Sequence, residues 1–226
     1  MILSTRLRAG RASVSAVAVI ALGGGYAQAA GLPPPQFGRS VDIGLDSGKV
    51  MVRPPHGTAF QLGVSDRNIP VGSVIDARLG QVNVRTAYAP TNSTKGLQDG
   101  HFAGGQFTIH QRAGDRGLSE LDLHSAGRAV CAAVRRTQTA TDPIRVGAGP
   151  RASARVLALL RGTAHGAFRT RGRYSAATVR GTQWDTVDRC DGTLTRVHHG
   201  AVSVQDFARH RTVTVAAGHT YLARAP

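Results

Sequence analysis

The C-terminal part of the chain consists of short segments in which apolar and polar residues alternate, separated by glycine turns. These segments lie at residues 177–184, 193–197, 201–204 and 213–215. Alternation with a period of two is typical of β-strands that bury one face. Asp191-Gly192 lies between two of the segments and is typical of a β-hairpin. The pattern predicts antiparallel strands for this part of the chain.

The first half of the chain shows the same pattern, with turns about ten residues apart. Alternating segments at 50–53, 74–78, 82–86 and 107–111 are separated by turns rich in Gly and Pro. This spacing indicates an all-β unit. Residues 89–105, by contrast, are rich in glycine and polar residues, and we expect them to form an exposed loop.

Between these two parts the pattern weakens. Residues 125–136 are compatible with a helix, and the Pro and Gly residues at 137–149 predict a linker or long loop. Residues 153–161 fit either a short helix capped by Ser153 or a buried strand. The segments GKVMV at 48–52 and GAVSV at 200–204 resemble each other. Either a repeated strand-turn-strand unit or chance in a Val- and Gly-rich protein accounts for that resemblance.

The sequence therefore predicts a mainly β fold with short antiparallel strands in a sandwich- or barrel-like arrangement. One or two short helices are expected around 125–161. The expected regions are a signal peptide at 1–30, a Pro-rich lead-in at 31–40, an N-terminal β region at 41–124, a helical or loop connector at 125–161 and a C-terminal β region at 162–226.

The N-terminal segment has the three parts of a secretory signal peptide. Arg6, Arg8 and Arg11 precede an apolar stretch at 14–22, and small residues follow at 27–30. We expect cleavage after Ala29 or Ala30, with no membrane span left after signal removal, and a secreted or cell-envelope location. An uncleaved anchor or a buried helix is the alternative.

Cys131 and Cys190 are the only cysteines. In an oxidising compartment an even pair is expected to form one disulfide. The chain-entropy model gives about 4 kcal/mol of stabilisation for a closed loop of this length. Two unpaired buried thiols are the alternative.

The chain is strongly basic, with a net charge of +15 that falls to +12 once the three arginines of the signal segment are removed. Nearly all the basic residues are arginines, which a GC-rich genome also produces. The remaining field attracts polyanions. Outside a cell these are anionic wall polymers, acidic polysaccharides, lipid headgroups or stray nucleic acid. With only 5% aromatic residues the chain has few stacking platforms, so no specific nucleic-acid partner is expected.

Arg169, Arg171 and Arg173 form the most concentrated basic stripe. Their spacing of two places three guanidinium groups on one face of a strand. They are the candidate polyanion-binding residues, and an ordinary solvated strand face is the alternative.

The sequence offers no recognised catalytic or metal-binding motif. HExxH and GxSxG are absent, and paired cysteines leave no thiolate. The adjacent His198 and His199 point to opposite faces if they lie in a strand. Asp185, Asp188 and Asp191 can serve glycoside hydrolysis or Ca²⁺ binding, or can simply form a turn. We expect no catalytic residue, no metal and no cofactor.

Residues 177–223 resemble the FecR-like domain family. The resemblance lies in Val179-Arg180-Gly181-Thr182-Gln183-Trp184, then in the segments at 194–197 and 200–204, and in Ala217-Gly218-His219. It implies a β-rich extracytoplasmic domain with Gly181, Thr182, Trp184, Gly200 and Gly218 as structural motif residues. Trp184 is the only tryptophan and lies in a strand that must bury one face, so we expect it to be buried. Named members of the family also carry a cytoplasmic anti-sigma region and a membrane helix. This chain shows neither feature, so the signalling role is not carried over.

The expected function is that of a non-enzymatic secreted β protein that associates with the cell envelope or with extracellular polyanions. The expected partner is an anionic cell-wall polymer, a polysaccharide or an envelope protein. The alternatives are a ligand-sensing or protein-interaction module of an envelope system and a hydrolase of cell wall or polysaccharide. A cleft with convergent Asp and His favours the hydrolase, whereas an exposed apolar patch or an open sheet edge favours the interaction module.

Overall fold

A computed structural model describes residues 32–88, 96–112, 114, 117–127, 129–133 and 154–226. The predicted signal segment and the predicted linker at 137–149 lie outside these residues. Within the described ranges no helix has the length and apolar character needed to cross a membrane.

Fifteen strands form in the described residues. The first seven are β1 (Ser40–Arg53), β2 (Phe60–Gln61), β3 (Arg67–Pro70), β4 (Val74–Ala87), β5 (Leu97–Ala103), β6 (Gln106–Gln111) and β7 (Ser119–Leu123). The others are β8 (Val156–His165), β9 (Phe168–Arg171), β10 (Ser175–Val179), β11 (Thr182–Arg189), β12 (Gly192–His199), β13 (Ala201–Asp206), β14 (Arg211–Ala216) and β15 (Thr220–Arg224).

The prediction of a mainly β, sandwich- or barrel-like fold is confirmed. A short helix lies at residues 129–133, inside the predicted helical segment. The segment at 153–161 becomes strand β8 from Val156 onward, which decides between the two alternatives in favour of a strand. From Leu160 to His165 its residues alternate strictly between buried and exposed, as the period of a strand requires.

The long antiparallel pair of β1 and β4 joins two arms of one continuous sheet. One half of β4 pairs with β5, while its N-terminal half pairs with β6. The pair bends where Gly48 faces Gly80, between two register shifts in β1. Gly48 has a φ of +70°, and a Cβ there would collide with the backbone of Leu79. A glycine is therefore required at this corner.

The two arms enclose a single core. The first arm continues from β5 through β8, β11 and β12 to β15, and the second from β6 through β7, β9, β10 and β13 to β14. Neighbouring strands are antiparallel except β7 and β9, which run parallel. The far ends of the arms are joined by the chain itself, through Gly200 between β12 and β13 and through the turn between β14 and β15. The sheet is thereby a nearly closed barrel.

The two segments that resemble each other in sequence have similar places in the fold. Gly48 and Gly200 both have positive φ, +70° and +78°, where the chain passes from one arm to the other. After each glycine the chain continues as a strand in the second arm of the sheet. Both segments thus begin at a glycine corner of the sheet.

Four aromatic rings form the centre of the core, and all are fully buried. The Phe102 ring is central, with centroid distances of 5.8, 5.6 and 6.2 Å to Phe107, Phe168 and Trp184. The indole of Trp184 packs over Gly162 of β8, where a Cβ would lie 2.9 Å from the ring. The predicted burial of Trp184 is confirmed.

The expectation of an exposed loop at 89–105 was wrong for residues 97–103, which form β5. Gln98 is buried because its amide donates to Gly117 O at 2.7 Å and its Oε1 accepts from Ala167 N at 2.7 Å. A satisfied polar side chain thus takes a core position that an apolar residue usually fills. The polar composition concealed the strand, and residues 89–95 lie outside the described part of the chain.

The predicted disulfide is confirmed. Cys131 and Cys190 are bonded with a Cα–Cα distance of 5.4 Å, inside the range that a disulfide requires. The bond ties the short helix at 129–133 to the turn between β11 and β12. Formation of this bond indicates an oxidising compartment.

Candidate functional site

A polar groove of about 680 Å³ lies on the outer face of β4, β5, β8, β11 and β12. These five strands are consecutive neighbours in the first arm. Residues that alternate with the buried core positions point outward into the groove. The polar groove is defined by its ionisable side chains, which are His101, Arg161, Asp185, Arg196 and His198.

The middle of the polar groove is a row of three charged residues on adjacent strands. Asp185 of β11 is the cross-strand partner of Arg161 on one side and of Arg196 on the other. Strands lie about 4.8 Å apart, so the two arginine Cα atoms are about 10 Å apart. The Nη1 atom of Arg196 lies 3.7 Å from Asp185 Oδ2, whereas no ion pair joins Arg161 to a carboxylate of the described residues.

Asp185 is largely occupied by its neighbours. Its side chain is only 10% exposed, and its Oδ2 lies 3.0 Å from Nε2 of His198. The carboxylate therefore positions His198 and Arg196 beside each other on β12. The charge of Asp185 is matched in part by Arg196, and its small exposed area leaves little surface for a ligand to contact.

His101 is fixed at the other end of the polar groove. Its Nδ1 lies 2.7 Å from Asp46 Oδ2, and its Nε2 lies 3.4 Å from Asn83 Nδ2. With the proton on Nδ1, the ring donates to Asp46 and accepts from the Asn83 amide. Gln81 Nε2 donates to the same Asp46 oxygen at 3.2 Å. The ring thereby leans toward β4, away from β12.

The two His–Asp pairs are too far apart to act on one bond. His101 is the cross-strand partner of Thr163, which is the partner of Gln183 on β11, and His198 lies one strand further. Three strand spacings amount to about 14 Å between Cα atoms. A general acid and a general base must both lie within hydrogen-bond reach of the reacting group. The spacing suits several contacts along an extended ligand.

The predicted arginine stripe is only partly a stripe. Arg169 and Arg171 lie on one face of β9, but Arg173 lies beyond the end of that strand, so the expectation of three guanidinium groups on one strand face was wrong. Gly172 begins a tight turn there, donating from its N–H to Ser175 O. The side chain of Arg173 instead lies over the Tyr174 ring, 5.3 Å from its centroid.

The strand arginines face acidic partners on the parallel strand β7. Arg169 Nη1 lies 3.1 Å from the buried Glu120, which also binds Arg112 Nη1 at 3.0 Å. Arg171 Nε lies 3.9 Å from Asp122 and its guanidinium covers the Phe207 ring at 4.7 Å. Much of the stripe's charge is therefore matched within the sheet.

The two acids of β7 have opposite pKa shifts. Burial alone would raise the pKa of Glu120, yet hydrogen bonds from Arg169 and Arg112 outweigh it and hold the pKa below its ordinary value. Burial raises the pKa of Asp122, and the nearby charge of Glu120 raises it further. Glu120 is thus a structural anion, while Asp122 resists ionisation.

The three aspartates around Cys190 do not converge. Asp185 faces the polar groove, and Asp191 is held by Arg189, whose Nε donates at 2.8 Å. Asp188 is fully buried and accepts hydrogen bonds from the Arg173 N–H at 3.0 Å and the Thr193 hydroxyl at 2.6 Å. Neither a paired-carboxylate site nor a Ca²⁺ cage is formed by these three side chains.

Among the described residues no three His, Cys, Asp or Glu side chains come together as a metal site. His198 and His199 both lie at the exposed end of β12, and His198 is engaged by Asp185. His219 Nδ1 lies 3.1 Å from Ala217 O, within its own turn. Gly181, Gly200 and Gly218 all have positive φ, and the Thr182 hydroxyl donates to Ala201 O at 3.2 Å.

The groove residues Arg161, Arg196 and His101 were not found from the sequence. They lie on strands that become neighbours only through long-range pairing. The local signal was present as alternation, since Arg161 and Thr163, and likewise Arg196 and His198, share the outward face of one strand. Knowledge of the strand order is needed to bring these faces together.

No family model, no curated protein and no solved structure matches the chain.

Proposed function

We propose that the protein binds an anionic polymer of the cell envelope or the extracellular space, without transforming it, in the polar groove. One observation supports this proposal above the others. Arg161 and Arg196 flank a nearly covered carboxylate on an outward concave face, with a histidine at each end. The proposed binding residues thus differ from the stripe at 169–173.

The chemistry of the groove suits an anionic ligand. An arginine guanidinium binds carboxylate or phosphate through two parallel hydrogen bonds and stays charged at all physiological pH values. Two such groups about 10 Å apart match repeated charges along a chain better than a single small anion. The net charge of +12 that remains without the signal segment adds long-range attraction for the same class of ligand.

The location of the protein forms part of the proposal. The Cys131–Cys190 disulfide indicates an oxidising environment. A signal peptide at 1–30 would deliver the chain there, and the FecR-like resemblance of residues 177–223 is compatible with an extracytoplasmic β domain. The polymers present in that environment are anionic wall polymers and acidic polysaccharides.

Equilibrium binding to defined polymers tests the proposal. The probes are polygalacturonate, poly(glycerol phosphate) and neutral dextran, with the protein produced by secretion so that the disulfide forms. We expect binding to the two anionic polymers that weakens with salt, because surface charges are screened within about 8–10 Å at physiological ionic strength. Arg161→Gln should weaken it about tenfold, since a charge-assisted hydrogen bond contributes about 1.5–3 kcal/mol.

Two results would contradict the proposal. Binding to dextran as tight as to the anionic polymers would show that charge is not recognised. Absence of binding to either anionic polymer at low salt would indicate that the protein binds a protein partner instead.

A hydrolase acting on the same polymer is the second candidate, favoured by the His101–Asp46 pair. Asp46 holds Nδ1 of the ring, so Nε2 is the nitrogen that can accept a proton, once it gives up its 3.4 Å contact with the Asn83 amide. Prolonged incubation of each polymer with the protein, followed by measurement of chain length, distinguishes the two functions. Shortening that is abolished by His101→Gln would establish the hydrolase, and unchanged chain length supports binding alone.

A further inference from the structure

An aliphatic strip adjoins the polar groove on the same outer face. Leu159, Val187 and Leu194 are cross-strand partners on β8, β11 and β12. Together with Val156 they define the aliphatic strip, which floors a depression of about 260 Å³. Val156 is 56% exposed, Leu159 and Leu194 are half-buried, and Val187, between them in the sheet, is buried at 7% exposure. Aliphatic side chains in register on three adjacent strands form a continuous apolar surface.

The strip and the groove share their charged residues. Arg161, Asp185 and Arg196 border the depression over the strip and also line the polar groove. Along each strand, the arginine lies two residues from its aliphatic neighbour, which is about 6.8 Å. A ligand anchored at Arg161 therefore reaches the strip directly.

The strip offers contact but no hydrogen bonds from the backbone. Strands β8, β11 and β12 are each paired on both edges, so their N–H and C=O groups are used within the sheet. A peptide laid on the strip would leave its own backbone groups without partners, which is costly. A hydrocarbon chain has no such groups and loses nothing by leaving water.

We propose that the natural ligand is an acylated anion, with its phosphate or carboxylate on Arg161, which no carboxylate of the described residues pairs, and its acyl chain on the aliphatic strip. This inference rests on the proposed function and names the part of the envelope polymer that is recognised, namely its acylated end. Arg161 supplies the charge complementarity that fixes the headgroup, and the strip supplies the apolar area beside it.

A chain-length series tests the inference on the unmodified protein. The probes are inorganic phosphate and the butyl, octyl and decyl monophosphates, each below its micelle concentration, measured by displacement of poly(glycerol phosphate). Burial of one methylene raises affinity about fourfold. We expect the affinity to rise steeply from phosphate to octyl phosphate and to level off when the strip is filled.

Variants locate the chain on the strip. Val156→Asn with Leu194→Thr should flatten the dependence on chain length and leave inorganic phosphate binding unchanged. Val64→Asn is the matched control, because Val64 is 94% exposed and does not line the depression. Near-ultraviolet circular dichroism shows whether each variant is folded. The chain-length series on the wild-type protein tests the inference even if the double variant does not fold.

The outcomes separate this inference from the proposed function. Equal affinity for phosphate and octyl phosphate, with polymer binding intact, would show that the acyl chain is not recognised. The proposed function would then still hold. Octyl maltoside has the same chain without a negative charge. If it competes as well as octyl phosphate, the strip binds alkyl chains without any need for an anionic headgroup, which also overturns the inference. Failure of every phosphate probe and of the polymer would overturn both.

Discussion

The indole nitrogen of Trp184 donates a hydrogen bond to the hydroxyl of Thr170 at 3.0 Å, from β11 in one arm of the sheet to β9 in the other. Both side chains are fully buried. A polar contact thus spans the core and fixes the distance between the arms beneath the polar groove.

Trp184→Ala should lower the free energy of unfolding by about 3–5 kcal/mol, because a large cavity remains in the core. Trp184→Phe keeps most of the apolar volume but leaves the Thr170 hydroxyl without this donor, and it should cost about 1–3 kcal/mol. Urea unfolding followed by circular dichroism measures both.

Since Trp184 is the only tryptophan, wild-type fluorescence should have the blue-shifted maximum of a buried indole. A maximum typical of an exposed indole would contradict the fold.

Glu120→Gln should lower stability at pH 7 by about 2 kcal/mol, because the neutral amide has a single acceptor oxygen where the carboxylate offers two charged ones to Arg112 and Arg169. The pKa of Glu120 is lowered in the folded state, so its stabilisation is present above the ordinary value of 4.5 and disappears as the pH falls through the folded pKa. The difference between variant and wild type should therefore shrink in acid. Denaturation series at several pH values measure it.

Asp122→Asn is the matched control on the same strand. The pKa of Asp122 is raised in the folded state, so its ionisation costs stability above that pKa and the cost disappears as the pH falls. The variant should be as stable as wild type at pH 7, within about 0.5 kcal/mol, or more stable. Equal losses for both variants at pH 7 would contradict the opposite roles assigned to the two acids.

Removal of the disulfide by Cys131→Ser with Cys190→Ser should cost about 4 kcal/mol for a loop of 59 residues. Thermal unfolding of the double variant measures this cost. Alkylation of the untreated wild-type protein, read by intact mass, should find no free thiol. Two modified thiols without reductant would refute the bond and remove the argument for an oxidising compartment.

The secreted protein should begin at Ala30 or Gly31, because the small residues at 27 and 29 fit a signal peptidase. N-terminal sequencing of protein recovered from a culture supernatant measures the cleavage site. A mature form that retains Met1 would reject the signal peptide.

Local chemistry was sufficient to predict much of the fold. Alternation located most strands, a single large aromatic identified Trp184 as a core residue, and the even cysteine count gave the disulfide. Strand β5 was missed because Gln98 occupies a core position through hydrogen bonds to residues distant in sequence. Alternation of apolar and polar residues predicts a strand only when the buried face is apolar. A polar residue can lie on the buried face when residues distant in sequence form hydrogen bonds with it.

The site was not predictable from the sequence for a related reason. The parallel pairing of β7 with β9 places Glu120 opposite Arg169, so the densest cluster of arginines is matched within the sheet. Arg161 and Arg196 lie far apart in the chain, and they meet only because β8 and β12 both pair with β11. Charge density along a sequence does not report which charges the fold leaves available.

The most direct test compares two double variants that lose the same charge. The dissociation constant for poly(glycerol phosphate) is measured by calorimetry at one ionic strength for wild type, Arg161→Gln with Arg196→Gln, and Arg171→Gln with Arg173→Gln. A groove that binds the polymer predicts at least about tenfold weaker binding for the first variant and a change within about threefold for the second. Equal weakening of the two would show that the net charge of the protein, and not the polar groove, attracts the polymer.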